Sequence, residues 1–325
     1  MIALRELDAK TYRRHPLHDE ERTWVETNCY VDLWIEVLHA FGFDPTAALA
    51  FTVAIDFEGD QWLFFKQPTA DLLELYGVDV QELNIFGDFL GHAQQQLERG
   101  RIVLVELDAH YLPDTAGVTY RSGHSKTTIG IQSLDVERKK LGYFHNAGYF
   151  ELEGEDFMGL FGLDRARRPE DLVPYTEFAK FRGSPVKSEG ELVQLSLGQL
   201  RRHLARRPTS NPIAAFAQRF SADLAGLRAS GPEAFHLYAF ATLRQFGAAF
   251  DLTASYLAWL EGRGERGLTR AREAFAGLAS QAKTLQFKTA RSVMLKRDAD
   301  FTPMLDEMQS SWETAMGELI GRYAR

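Results

Sequence analysis

The sequence predicts an α+β protein, in which an α/β domain is followed by an all-helical domain. Helical and extended patterns alternate over residues 21–165, and the segment RIVLVELDA, residues 101–109, has four consecutive apolar residues with β-branched members. Such a run is typical of a central strand covered on both faces. From about residue 191 onward, apolar residues recur at helical spacing, so we expect helices there.

The composition excludes several classes of protein. Of the 325 residues, 45% are hydrophobic and 25% are charged, as in ordinary folded domains. The net charge of −8 argues against a nucleic-acid binder, which needs a basic face. The sequence has no apolar run long enough to cross a membrane, and its first residues lack the apolar core of a signal peptide. We therefore expect a cytoplasmic protein.

The patterns divide the chain into four parts. We expect a polar lead-in over residues 1–20, the α/β domain over 21–165, a linker rich in proline and glycine over 166–190, and the helical domain over 191–325. The expected strands are VQELNIF, RIVLVELDA, HSKTTIGIQ and KLGYFHNAGYFEL, and the expected helices of the last part are 196–207, 212–229, 232–261, 268–297 and 300–324.

Cys29, the single cysteine, lies where a helix is predicted to begin. Thr27 and Asn28 before it are good helix-capping residues, and apolar residues follow it at helical spacing. At this position the positive end of the helix dipole favours a thiolate over a thiol, which suits a nucleophile. The alternative is that Cys29 is a small buried hydrophobic residue.

A cysteine nucleophile needs a base, and the base needs a residue that orients it. His124 opens one predicted strand and Asn146 lies on the next, so a hairpin between them would bring the two side chains together. His145 is a rival base or a substrate-binding residue. Neighbouring strand residues point to opposite faces, so only one of His145 and Asn146 can face Cys29. Alternatively, His124 bonds a backbone carbonyl at a strand end, and Asn146 is a turn residue.

Residues 23–160 resemble the papain-like fold of bacteriocin-processing cysteine peptidases and, more closely, the N-terminal domain family of the butirosin-biosynthesis acyltransferase. The resemblance rests on the order of a cysteine at a helix start, RIVLVELDAHYLPD, HSKTTIGI and LGYFHNAGYFELEGEDF. The whole chain also resembles the family named domain of unknown function 1839 (DUF1839). The resemblance implies a papain-like α/β domain in which Cys29 is the nucleophile, His124 the base and Asn146 its orienting residue.

The same resemblance implies the reaction. Enzymes of the butirosin type move an acyl group from a carrier-protein thioester to an amine, so we expect an acyltransferase that binds no cofactor of its own and whose substrate arm is the phosphopantetheine of an acyl or aminoacyl carrier protein. Papain-like peptidases have an oxyanion-hole glutamine before the cysteine, and TWVETN has none. Asn28 could assist instead. A cysteine peptidase or amidase using the same residues, and a non-catalytic binding protein, remain the alternatives.

Three further features allow two interpretations each. Asp108 ends a strand at the expected cleft rim, where it is either structural or binds an amine. Arg244, in an otherwise apolar helix, is expected to be paired or to face a ligand channel. Basic clusters in the last helices could bind an acidic carrier protein or could be an ordinary solvated surface. We expect no metal, since the acidic loop DFEGDQ lacks the other ligands of a calcium site.

Overall fold

The computed structural model describes residues 1, 6–165, 173–186 and 188–323, and it has the predicted α+β class. The chain forms two compact units. The first, which we call the sheet unit, comprises Met1–Pro16, Asn28–Pro45 and Thr69–Pro185. The second, the helical unit, comprises Leu17–Thr27, Thr46–Pro68 and Val186–Arg325. Two segments of the N-terminal half, which the sequence assigned to the α/β domain or its lead-in, thus belong to the helical unit.

The sheet unit contains a six-stranded sheet in which all neighbouring strands are antiparallel. Its strands are β1 (Val78–Glu82), β2 (Ile102–Asp108), β3 (Lys126–Asp135), β4 (Lys140–His145), β5 (Gly148–Glu153) and β6 (Thr176–Phe181), in the order β1-β6-β2-β3-β4-β5. The first four residues of β2 are all buried, and successive strand residues point to opposite faces. The prediction of a central strand covered on both faces is therefore confirmed for β2.

Strand β6 lies inside the expected linker. It pairs with β1 on one side and with β2 on the other, so it is a central strand of the sheet. This six-residue strand was not predicted because turn-forming residues flank it: Pro174 before it, and Gly183 and Pro185 after it. The expectation of a linker throughout 166–190 is wrong for this strand, and residues 166–172 and 187 lie outside the described part of the chain.

The α-helices in the described part of the sheet unit are α1 (Cys29–Ala40), α2 (Thr69–Tyr76), α3 (Phe89–Glu98) and α4 (Glu155–Leu160). Helix α1 packs closely on β3, because a Cβ atom at Gly130 would lie 3.4 Å from the Leu33 side chain. This packing fixes the first turn of α1, with Cys29, beside the first residues of β3.

The helical unit contains α5 (Glu189–Ala205), α6 (Pro212–Ser230), α7 (Pro232–Tyr238), α8 (Arg244–Gly262), α9 (Thr269–Leu295) and α10 (Thr302–Tyr323). A π-helical turn, Ala239–Leu243, joins α7 to α8. As predicted, Pro212 and Pro232 are first helical residues. The predicted end of the last helix at residue 324 lies outside the described residues.

Aromatic packing forms part of the core of the helical unit. The rings of Trp62 and Phe246 lie 4.7 Å apart, and those of Phe216 and Phe246 lie 5.3 Å apart. Large buried rings contribute strongly to core stability. No helix in the described ranges combines the length and the apolar character that a membrane span requires.

Gly77, directly before β1, lies where two backbone segments pack closely together. Its φ is +68°, and a Cβ atom there would lie 2.1 Å from the carbonyl oxygen of Gly183. We expect Gly77→Ala to lower the free energy of unfolding by about 2–4 kcal/mol, the sum of left-handed backbone strain and a steric clash.

Gly117→Ala is the matched control, since its φ is +83° but nothing lies within 4 Å of the added atom. It should cost about 1–2 kcal/mol, the strain alone. Urea unfolding of both variants measures the difference, and equal losses would show that the approach of Gly183 is not tight.

Candidate active site

Cys29 is the first residue of α1, as predicted, and Asn28 is its N-cap. The side-chain oxygen of Asn28 accepts hydrogen bonds from the backbone N–H groups of Tyr30 at 3.2 Å and Val31 at 3.0 Å. These bonds satisfy two N–H groups that the helix leaves unpaired at its start. The amide oxygen of Asn28 therefore holds the helix that carries the thiol.

The Cys29 thiol is half-buried and faces β3. Its sulfur lies 3.9 Å from the hydroxyl oxygen of Thr128. Within the described residues this is the sulfur's hydrogen-bond partner, and neither His124 nor His145 bonds it. The structure thus positions the thiol at a helix start as expected, but with a threonine beside it instead of an imidazole.

His124 is bonded to Asp108, at the end of β2, and not to Asn146. Its Nδ1 lies 2.6 Å from Oδ2 of Asp108, so Nδ1 carries the proton and donates it to the carboxylate. The side chain is 72% exposed, and among the described residues Nε2 has no hydrogen-bond partner. A histidine held in this tautomer presents the lone pair of Nε2 to solvent, which is the arrangement of a general base.

The Asp108 carboxylate is fixed by three donors. Besides His124, the backbone N–H of His110 donates to Oδ1 at 3.0 Å and that of Ser125 at 3.2 Å. Partial burial raises the pKa of Asp108, but the hydrogen bonds from His124 and from the two backbone groups outweigh it, so the pKa lies below the usual value. Asp108 is consequently a carboxylate at neutral pH.

His110 supports the ring of His124 from one side. The two imidazoles are stacked, with centroids 4.5 Å apart and planes inclined by 11°. The Nδ1 of His110 donates to the carbonyl oxygen of Gly123 at 3.0 Å. Sequence reasoning assigned His110 no role, although its position in DAHYLP, two residues after Asp108, could have indicated one.

Asp108 and His124 line a cleft of about 680 Å³ in the sheet unit. Its walls include Phe89 and Phe161, whose rings are stacked 5.8 Å apart, and Arg165 also lines it. The cleft therefore combines an acid–base pair with apolar walls, a combination typical of small-molecule sites. In the described ranges no group of three or more His, Cys, Asp or Glu side chains is arranged to hold a metal ion.

His145 and Asn146 lie elsewhere. His145 is buried, with Nδ1 2.5 Å from Asp114 and Nε2 2.7 Å from the hydroxyl of Thr127, so both ring nitrogens are occupied within the protein. This arrangement does not support His145 as a base or a substrate-binding residue. Tyr143 donates to the same Asp114, and its burial, together with that carboxylate, raises the pKa of its phenol.

Asn146 forms the turn between β4 and β5, with a φ of 42°. Phe144 on β4 pairs with Gly130 on β3. If this antiparallel register is continued by two residues, Asn146 is level with Thr128. His124 precedes Thr128 by four residues, so it is not opposite Asn146. The predicted long strand at KLGYFHNAGYFEL is thus a hairpin, and the expected pairing of His124 with Asn146 is not formed. The turn interpretation of Asn146 is the one that its backbone supports.

Arg244, the remaining predicted site residue, belongs to the helical unit and is paired. Its Nε donates to the carbonyl oxygen of Thr27 at 2.8 Å, and Nη2 lies 3.4 Å from Glu26. Its guanidinium also lies over the Phe240 ring, 5.2 Å from the centroid. The sequence predicted that this charge is paired or faces a ligand channel. Arg244 is paired, and it also lines a cavity that is described below.

Two protein-family models together match most of the chain. Residues 13–181 match the model of the DUF1839 N-terminal domain, and residues 189–320 match that of the DUF1839 C-terminal domain. No curated protein matches the chain in a sequence search.

The hydrogen bond between Asp108 and His124 can be tested by titration. We expect the Asp108 carboxyl, followed by side-chain carbon NMR, to titrate below the ordinary value of about 3.9. In His124→Ala its midpoint should rise, because the donor that favours the carboxylate is lost.

His110→Ala is the control, because it removes the stacked ring but keeps both backbone donors to Asp108. A lowered carboxyl pKa stabilises the folded protein above about pH 4, and this contribution is lost as the pH falls through the folded-state pKa. Identical midpoints in the wild type and His124→Ala would show that the bond does not hold the carboxylate.

Proposed function

The chain belongs to the DUF1839 family, and we propose that it transfers an acyl group from the thioester of an acyl or aminoacyl carrier protein to the amine of a small molecule. The observation that carries this proposal is the bond between His124 and Asp108 at the cleft, which leaves Nε2 of the imidazole available. The thioester substrate is inferred from the resemblance of HSKTTIGI and its neighbouring segments to acyltransferases of the butirosin type.

In this proposal, His124 is the general base. The acceptor amine attacks the thioester carbonyl and a C–N bond forms, while Nε2 of His124 accepts a proton from the nitrogen. The C–S bond then breaks, and the phosphopantetheine thiolate takes that proton from the imidazolium. Asp108 stabilises the imidazolium in between, as the carboxylate of a catalytic triad does. The role that the sequence gave to Asn146 thus passes to Asp108.

The cleft suits such a substrate. Its apolar wall, which includes Phe89 and Phe161, can hold an acyl chain or the apolar part of a phosphopantetheine arm. Asp108 itself is occupied by three donors, so the amine would be recognised chiefly through Nε2 of His124. We also propose a papain-like relationship for the sheet unit, because Cys29 opens a helix that packs on the sheet. A cytoplasmic location belongs to the same proposal.

A second candidate is a covalent route through Cys29. It is favoured by the position of the thiol at the capped start of α1, where the helix dipole stabilises negative charge. In that route the Cys29 sulfur would take the acyl group first and pass it to the amine, or to water in a peptidase or amidase. The threonine beside the sulfur does not supply the base that this route needs, so we place it second.

Single variants of the cleft residues test whether His124 and Asp108 are needed for acyl transfer. The probes are acetyl and alanyl thioesters of 4′-phosphopantetheine, with hydroxylamine as the acceptor and hydroxamate formation as the readout. We expect His124→Ala to lower the protein-dependent rate by about 10²- to 10⁴-fold, the usual contribution of a general base. Asp108→Asn should lower it in the same direction, while His39→Ala, a histidine of α1 outside the cleft, should leave it unchanged.

Cys29→Ala separates the routes. Direct transfer predicts that this variant keeps most of the rate and that intact-mass spectrometry finds no acyl adduct on the wild type. An adduct on the wild type that is absent from Cys29→Ala would establish the covalent route. Acyl release that does not depend on hydroxylamine would favour hydrolysis. If no thioester reacts faster with the wild type than with His124→Ala, the proposed function is wrong.

A further inference from the structure

The helical unit contains a second cavity, of about 410 Å³, whose lining includes two cationic side chains and one carboxylate. Trp24, Glu26, Arg244, Lys283 and Gln286 are among its lining residues. All of them belong to the same unit. A ligand channel was one interpretation of Arg244 from the sequence, and Lys283 belongs to one of the basic clusters that could bind a carrier protein. The cavity shares no lining residue with the cleft that holds His124.

Lys283 is a cation without an anionic partner of its own. Its Nζ lies over the Trp24 ring, 4.1 Å from the centroid, and among the described residues no oxygen accepts a hydrogen bond from it. Burial lowers the pKa of Lys283, and the nearby positive charge of Arg244 lowers it further. The ammonium donors that do not point at the Trp24 ring are thus available to a ligand in the cavity.

The surrounding charges do not neutralise this pair of cations. Glu26 lies 3.4 Å from Nη2 of Arg244, at the long end of a hydrogen bond, and its side chain is 43% exposed. Asp251, the carboxylate whose charge acts on Lys283, is bonded to Arg22 at 2.6 Å. Glu26 neutralises the charge of Arg244, and Asp251 neutralises that of Arg22. The positive charge of Lys283 is therefore left unneutralised by these carboxylates.

The cavity wall is rigid and offers one more polar group. The indole N–H of Trp24 donates to the carbonyl oxygen of Ala279 at 3.1 Å, and a Cβ atom at Gly247 would lie 2.6 Å from the indole ring, so the ring is tightly seated. The side-chain oxygen of Gln286 is buried, and no described residue donates a hydrogen bond to it. A buried acceptor of this kind is costly unless a donor reaches it.

From these contacts we infer that the cavity binds a phosphate group, with Lys283 and Arg244 on the phosphate oxygens and Gln286 accepting from an O–H or N–H of the same ligand. Guanidinium and ammonium groups are the usual partners of phosphate. Phe240, which also lines the cavity, offers an apolar surface to the rest of such a ligand.

The phosphate could be that of a phosphopantetheine arm or a free phosphate ion, and the binding experiment distinguishes the two. Titration calorimetry on the full chain, at constant ionic strength, would compare 4′-phosphopantetheine, pantetheine and inorganic phosphate. We expect 4′-phosphopantetheine to bind at least about tenfold more tightly than pantetheine, because charge-assisted bonds to the phosphate are lost in the latter. Equal binding of inorganic phosphate would identify the free ion as the ligand.

Lys283→Met tests the assignment with little risk to folding, because it keeps the apolar stem over Trp24 and removes the charge. It should weaken binding of the phosphorylated probe by about tenfold or more. Lys288→Met, on the exposed side of the same helix, should leave it unchanged. The inference fails if pantetheine and 4′-phosphopantetheine bind alike, if neither phosphate probe binds, or if Lys283→Met binds as the wild type does. None of these outcomes depends on acyl transfer.

Discussion

The carboxylate of Asp108 is the interaction on which the candidate active site depends. It ends the central strand β2, accepts two backbone N–H groups from the chain that leaves β2 and enters β3, and holds the ring of His124. The Asp108 side chain thus connects the end of strand β2, the turn after it and the imidazole of His124. Burial alone would raise the pKa of Asp108, but the three donors hold it below the usual value, and the resulting carboxylate fixes the histidine tautomer.

In the candidate active site, the oriented base His124 is not bonded to Cys29, the residue that the sequence suggested as the nucleophile. Cys29 is at the start of a capped helix, yet Thr128 is the group beside its sulfur. His124 is oriented, accessible and beside an apolar cleft, while His145 has the same chemistry but is closed off by Asp114 and Thr127. Whether an imidazole can act on a substrate is decided by which of its two nitrogens the fold leaves free.

Much of the architecture follows from local patterns. The start of α1 at Cys29, the buried strand β2 and the proline-started helices at Pro212 and Pro232 were predictable because caps, apolar runs and proline act over a few residues. Strand β6 was not, because its place between β1 and β2 is decided by pairing with residues far away in sequence. The partner of His124 was missed for a related reason: the sequence treated Asn146 as a strand residue, but it lies in the turn between β4 and β5, and the pairing of β3 with β4 sets it level with Thr128 instead of His124.

The position of β6 has a consequence for how the protein is made. The sheet cannot close while the ribosome is still adding residues before Thr176, because β6, the strand between β1 and β2, is the last to be synthesised, so β1 and β2 must wait with open edges. Such late, long-range pairing is slow, and unpaired edges invite association with other chains. The nascent sheet unit is therefore exposed to such association until the strand that joins β1 to the rest of the sheet arrives.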